Sequence, residues 1–259
     1  MDRFTNGKFP FSYSSASAFD TCKYSFKLTY MEKKNRAKNF FSDYGSFIHA
    51  IIEMYFRGEL DIFTMSGYYE EHYYEWVVSK PPPFQKTMAE GFYKKGLEFF
   101  DGFCFDKDDY ELLMLEEKVV GEVGGFHFVV KPDMVLKEKK TGKIILMDVK
   151  TANPYKPNGK LDIKKVTPYA KQLALYAYFI EIDLNIKIDE KIIWFTKSGN
   201  FENVTSLVSN EEALAWFKET VGKIFDEEKW EHDLSSAFFC DFLCSVRMDC
   251  EFRGEKKNE

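Results

Sequence analysis

Residues 126–151, "FHFVVKPDMVLKEKKTGKIILMDVKT", decide how this chain folds. Apolar residues recur with a period of two over 126–138, and a second extended run follows at 143–151. Lys140-Thr141-Gly142 between them carries the turn chemistry of a hairpin. The second run delivers Asp148 and Lys150 just where the strand leaves the core, two residues apart and hence on one face. Asp133, placed late in the preceding strand, then converges with Asp148 at one end of a sheet. Two such acids in an apolar setting repel each other unless a cation lies between them. Hard oxygen donors favour Mg²⁺ or Mn²⁺. Lys150 beside them reads as a cationic assistant in phosphodiester hydrolysis, orienting water or neutralising charge on a phosphate. Alone, an Asp-x-Lys at a strand end is more often a surface ion pair.

Upstream, "ELLMLEEKVVGEV" (111–123) predicts a preceding strand, joined through Gly124-Gly125, so that three consecutive strands are expected. Thr167 as cap and Pro168 at the first position predict a helix through Ile182. "EKIIWFTKSG" and "NFENVTSLV" supply two more strands, and Asn210 to Glu228 a final helix. Before the strands, residues 12–30 read as one helix capped by Ser14 or Ser15, with Ala18, Cys22 and Phe26 on one face. A second helix, capped by Ser42 and ending at Gly58, carries the apolar stripe Phe47, Ile48, Ile51, Ile52 and Tyr55. Residues 61–103 are aromatic and helical in tendency, broken at 80–84. The expected class is α/β, a mixed sheet flanked by helices. One domain spanning 1–259 is expected, with an N-terminal helical part (12–105), a sheet and its helix (106–209), and a C-terminal helix with a cysteine-bearing tail (210–259).

The formal net charge is −6, so no overall basic balance advertises nucleic acid, although a local cationic groove is not excluded by it. Apolar stretches such as Leu173 to Ile180 are too short to span a bilayer, and no basic-then-apolar leader opens the chain. An intracellular, cytoplasmic, DNA-associated protein without a membrane contact is the expectation. Five cysteines in such a compartment rarely form a disulfide framework. Cys104 reads as a core residue.

Two further patterns bear on Asp133 and Asp148. "GSFIH" places His49 on a helix one turn after Gly45, whose small size allows close approach, and the imidazole suits a metal shell. "QLALY" sets Gln172 and Tyr176 four apart on one helix face, where amide and hydroxyl suit phosphate or base contacts. Taken in order, Gly45-x-x-x-His49, Pro132-Asp133, Asp148-Val149-Lys150 and Gln172-x-x-x-Tyr176 resemble the PD-(D/E)XK nuclease superfamily, and within it the RecB-like and Cas4-like exonuclease branch. The resemblance runs from Ser12 to about Cys250. It implies a restriction-endonuclease-like fold, with His49, Asp133, Asp148 and the Val149 carbonyl holding Mg²⁺ or Mn²⁺. Lys150 would be the catalytic lysine beside Asp133 and Asp148, with Gln172 and Tyr176 supporting site and DNA. Relatives often carry glycine where Val130 stands here. Glu116 and Glu117 fall where relatives place an acid able to hold a second metal through water; a solvated strand face is the preferred reading.

Cas4-like members also hold a [4Fe–4S] cluster on one early and three late cysteines, and Cys22, Cys240, Cys244 and Cys250 are similarly placed. The departure is three residues between Cys240 and Cys244 where relatives commonly have two. A four-thiolate zinc site and no metal at all remain the alternatives. Lysines 33, 34 and 38 with Arg36, and then Lys156, Lys160, Lys164, Lys165 and Lys171, flank the proposed site. Tyr155, Pro157 and Tyr169 interleave with the second group, which favours single-stranded DNA or a frayed duplex end. The expected activity is a metal-dependent DNA exonuclease in recombination, repair or end processing, beside a helicase, recombinase or integration partner. A structure-specific endonuclease or nickase, and a non-catalytic DNA-binding subunit of the same fold, are the competing readings.

Overall fold

A computed structural model describes residues 9–83, 87–233 and 236–253. In chain order it forms helices α1 (Tyr13–Thr21), α2 (Lys23–Phe26), α3 (Phe40–Arg57), α4 (Met65–Trp76), α5 (Met88–Asp101), α6 (Ile163–Leu184) and α7 (Asn210–Asp226). Its strands are β1 (Tyr110–Leu115), β2 (Val119–Val123), β3 (Phe126–Val130), β4 (Met134–Glu138), β5 (Ile144–Lys150), β6 (Glu190–Phe195) and β7 (Asn200–Asn203). Two compact units result, one of residues 42–119 and 131–214, the other of 1–41, 120–130 and 215–259.

The first of these units holds a five-stranded mixed sheet in the order β1-β4-β5-β6-β7. β1, β4 and β5 are antiparallel neighbours, β5 and β6 are parallel, and β7 closes the sheet antiparallel. The parallel step requires a long crossover, which α6 provides while packing on β5 and β6. β5 is buried along most of its length, as a central strand covered on its faces should be. Among the described residues no helix is long and apolar enough to cross a membrane.

The mixed sheet flanked by helices is as expected, but several local expectations are corrected. The first two long strands are each two strands. Glu116 adopts a left-handed φ of 53° and ends β1, while Pro132, lacking an N–H, interrupts the second run. β2 and β3 form a separate two-stranded sheet, and Phe11 bridges in parallel to Phe128 of β3. Asp133 therefore precedes β4 rather than lying late in a strand. Helix α6 starts at Ile163, so Pro168 is inside it, and the Thr167 hydroxyl donates to the Ile163 carbonyl at 2.7 Å instead of capping. Helix α3 begins at Phe40, ahead of Ser42, though Gly58 ends it with the expected left-handed φ of 78°. The N-terminal helix is capped by Ser12, with Ser15 bonding back, and it breaks at Cys22, whose backbone is extended. Cys104 is exposed because the buried rings of Phe103 and Phe105 on either side take the inward positions. Part of the predicted 80–84 break lies outside the described residues.

Helices α4 and α5 pack through a fully buried Tyr69, whose hydroxyl donates to the Tyr93 carbonyl at 3.1 Å. The fit leaves no room opposite: a Cβ added at Gly96 would stand 2.4 Å from the Tyr69 ring carbon Cζ. Gly96→Ala should therefore destabilise the protein by about 1–3 kcal/mol, the usual cost of overpacking, despite alanine's better helix propensity. Urea unfolding measures it, and a variant as stable as the parent would contradict this packing.

Candidate active site

The β4–β5 register builds the site. Met134 pairs with Met147, so Asp133 and Asp148 come to lie across from each other where β4 begins and β5 ends. The Val149 amide donates to Asp133 Oδ2 at 2.7 Å, which fixes that carboxylate against the strand. His49, on α3, reaches the same oxygen with Nδ1 at 3.4 Å. Lys150 shares the face of Asp148, as strand alternation requires, and its ammonium is ion-paired with Asp148 Oδ2. Gln172, on α6, donates to Asp148 Oδ1 at 3.4 Å. Its side chain is in turn bonded to Tyr176, which is 6% exposed and lies behind the site, not at its surface.

For Glu116 the structure favours the less preferred of the two sequence expectations, an acid at the metal site, over a solvated strand face. One ligand atom each from His49, Glu116 and Asp133 lies within 4.8 Å of the other two. The left-handed backbone at Glu116 turns its carboxylate toward this group, where Lys131 pairs with it. No local sequence pattern announces that conformation. Gly45 also differs from expectation: an added Cβ would meet Thr151 Oγ1 at an ordinary 3.5 Å, so packing does not demand the glycine.

The electrostatics follow from burial and charge. Asp133 is pushed up to about 6, first by loss of solvation and then by the neighbouring Asp148, against the opposing pull of His49 and Lys150. For Lys150, burial pulls downward, but Asp148 and Asp133 together outweigh it and hold the ammonium at about 12. The Lys150 ammonium also lies 5.3 Å from the Tyr169 ring, so that ring is engaged with the lysine instead of being free for a base. Lys156, Lys160, Lys164 and Lys165 are exposed on the loop after β5 and the first turn of α6. Lys34 and Arg36, in the other unit, pair with Glu32 and stack over Tyr30.

That other unit gathers the four predicted cysteines. Cys22, Cys240, Cys244 and Cys250 line one small cavity with His232. All are free thiols. The backbone N–H groups of Ser25 and Asp233 both point at Cys22 Sγ, at 3.4 Å each. Burial, then the proximity of the other thiols, pushes Cys240 up, and burial does the same for Cys250.

The sequence profile of the PD-(D/E)XK nuclease superfamily matches residues 10–251. Among solved structures, one described provisionally as an exonuclease from Eubacterium rectale is similar at 15% identity and a TM-score of 0.51, covering 100% of this chain and 93% of that one. A second, SSO0001, is 14% identical with a TM-score of 0.36, over 89% of this chain and 95% of that one. Among curated proteins none matches the chain.

The raised Asp133 carries a stability consequence. The folded chain binds this proton more tightly than the unfolded one, whose carboxyl titrates near 3.9. The resulting stabilisation is fully present below about pH 4 and is lost as pH rises through about 6. Asp133→Asn removes the ionised group while keeping an acceptor for the Val149 amide. It should stabilise the metal-free protein at pH 8 by about 1–3 kcal/mol, with the gain vanishing toward pH 4. Thermal melts across that range test it; a loss of equal size at every pH would refute the account.

Proposed function

Since the chain belongs to the PD-(D/E)XK nuclease superfamily, we propose that it is a divalent-metal-dependent DNA exonuclease working on single-stranded or frayed ends. The observation that carries this reading is the convergence of His49, Asp133, Asp148 and Lys150 at one end of a mixed sheet. Two carboxylates with an imidazole form a hard donor set, and their mutual repulsion without a cation between them fits Mg²⁺ or Mn²⁺. A divalent ion bound there would polarise the scissile phosphate and acidify a water. His49, Asp133, Asp148 and the Val149 carbonyl would be its ligands, with Glu116 near enough to join them.

Lys150 stays protonated at neutral pH, so it serves as a donor to the attacking water or to a phosphate oxygen. Gln172 holds the Asp148 carboxylate, and Tyr176 holds Gln172. The exposed Lys156, Lys160, Lys164 and Lys165 supply charge for the DNA backbone. The description of the Eubacterium rectale protein agrees with exonuclease action. Helicases, recombinases or integration proteins, which generate such ends, are the fitting partners, in the recombination, repair or end-processing setting expected of the RecB-like and Cas4-like branch.

We read the four cysteines as ligands of a [4Fe–4S] cluster. They surround one cavity, and two N–H groups already point at Cys22 as they would at a thiolate.

With Mn²⁺ and end-labelled single-stranded DNA, wild type should release nucleotides, while Asp148→Ala and Lys150→Ala should lose about 100-fold or more. Equal release by all three proteins would end the hydrolase reading, and cutting of circular DNA would turn it into an endonuclease. Protein purified without oxygen should be brown, with iron and sulfide near four each per chain. Colourless protein containing zinc would replace the cluster.

A further inference from the structure

The cleft beside the end of β6 has no role in the chemistry above. It is lined by Phe92 and Lys95 from α5, Asn153 and Tyr155 from the loop after β5, Lys197 from the turn after β6 and Asn200 at the start of β7, with a volume of about 750 Å³. Lys197 is its distinctive member. Its ammonium sits 3.7 Å over the Phe92 ring, and among the described residues no carboxylate pairs with it. Lys95, by contrast, is already paired with Glu98. Burial pulls the Lys197 pKa down, as it does for a cation awaiting an anion.

The remaining walls are set by the protein's own bonds. The Tyr155 hydroxyl donates to Glu202 and accepts from Asn200, and the Tyr155 amide donates to Asn153 Oδ1 at 3.0 Å. The cleft is thus braced open, with one uncommitted cation in it. Its position is also fixed. Lys150 pairs in register with Phe195, and its carbonyl accepts from the Thr196 amide at 3.1 Å, which brings the turn carrying Lys197 to the same end of the sheet. Both lysines lie at the carboxyl end of the parallel pair.

We propose that this cleft is a nucleotide-binding subsite for the strand being cut, with a phosphate seated on Lys197 and the adjoining nucleoside against the Tyr155 ring. The inference rests on the nuclease reading and adds to it a positioning residue, Lys197, outside the Asp133–Asp148–Lys150 group. A cation beside a second aromatic ring inside a cleft suits a single strand, because the Tyr155 ring can receive a splayed base while the Lys197 ammonium, held over Phe92, meets its phosphate.

The test is binding of a labelled dT12 oligonucleotide in EDTA, where nothing is cut, as a function of salt. Lys197→Ala should weaken binding about tenfold and lower the slope of log affinity against log salt by about one, with Lys197→Arg recovering much of both. Tyr155→Leu should weaken dT12 yet leave an abasic strand of the same length unaffected. A folded Lys197→Ala protein with unchanged affinity and slope overturns the proposal. If alanine prevents folding, Lys197→Gln is read in the same way. Wild type that binds dT12 while Lys197 variants do so equally well refutes the cleft alone. Wild type that neither binds nor cuts any nucleic acid refutes the nuclease reading and this inference with it.

Discussion

The repulsion between Asp133 and Asp148 is the constraint around which the sheet end is arranged. Bringing two like charges together away from water is costly, and Asp133 registers it as a carboxyl pushed up to about 6, first by burial and then by Asp148. The β4–β5 register forces the two acids together, and four groups from three elements answer the cost. The Val149 amide and the His49 imidazole approach Asp133, while the Lys150 ammonium and the Gln172 amide approach Asp148. Two of them come from β5 itself, one from α3 and one from α6. A fold maintained for packing alone would have no reason to place a second acid here.

How much of this was legible in the sequence depends on whether a residue's direction is set locally. Strand alternation fixes Asp148 and Lys150 on one face, and helical periodicity fixes Gln172 and Tyr176 on another, so these read correctly from spacing. His49 is placed by the same helical logic. Glu116 is different. Its approach to His49 and Asp133 depends on one left-handed backbone conformation in a non-glycine residue, for which the sequence carries no mark. Pro132 did carry a mark, since a proline demotes an extended run, and the split between β3 and β4 follows from it. Pro168 misled in the opposite direction: its preference for a first turn is real, yet the helix tolerates it after five residues.

The cysteine tail shows how a spacing that departs from a familiar pattern can be accommodated. Three residues separate Cys240 and Cys244, one more than the Cas4-like pattern they resemble. Residues Phe239–Leu243 form a π-helical turn, with the Cys244 amide donating to the Phe239 carbonyl five residues back at 2.7 Å. A wider turn takes in the extra residue while both sulfurs still reach the same cavity. The early cysteine has its own device. Breaking the helix at Cys22 frees its sulfur to accept N–H bonds that an unbroken helix would have used internally.

Two lysines near one end of the sheet occupy opposite electrostatic situations, and the contrast explains how they divide the work. Lys150 faces two acids that hold its proton firmly; anything that neutralises those acids leaves burial unopposed and moves the ammonium toward release. Its protonation is therefore coupled to the charge state of the site itself. Among the described residues Lys197 has no acid to support it, only a ring beneath it and low-dielectric surroundings. For such a cation the stabilising partner must arrive from outside and must be negative. A polyanion lying along the carboxyl ends of β5 and β6 supplies that partner at the aromatic cleft, while at Asp133 and Asp148 it needs a cation between itself and the acids.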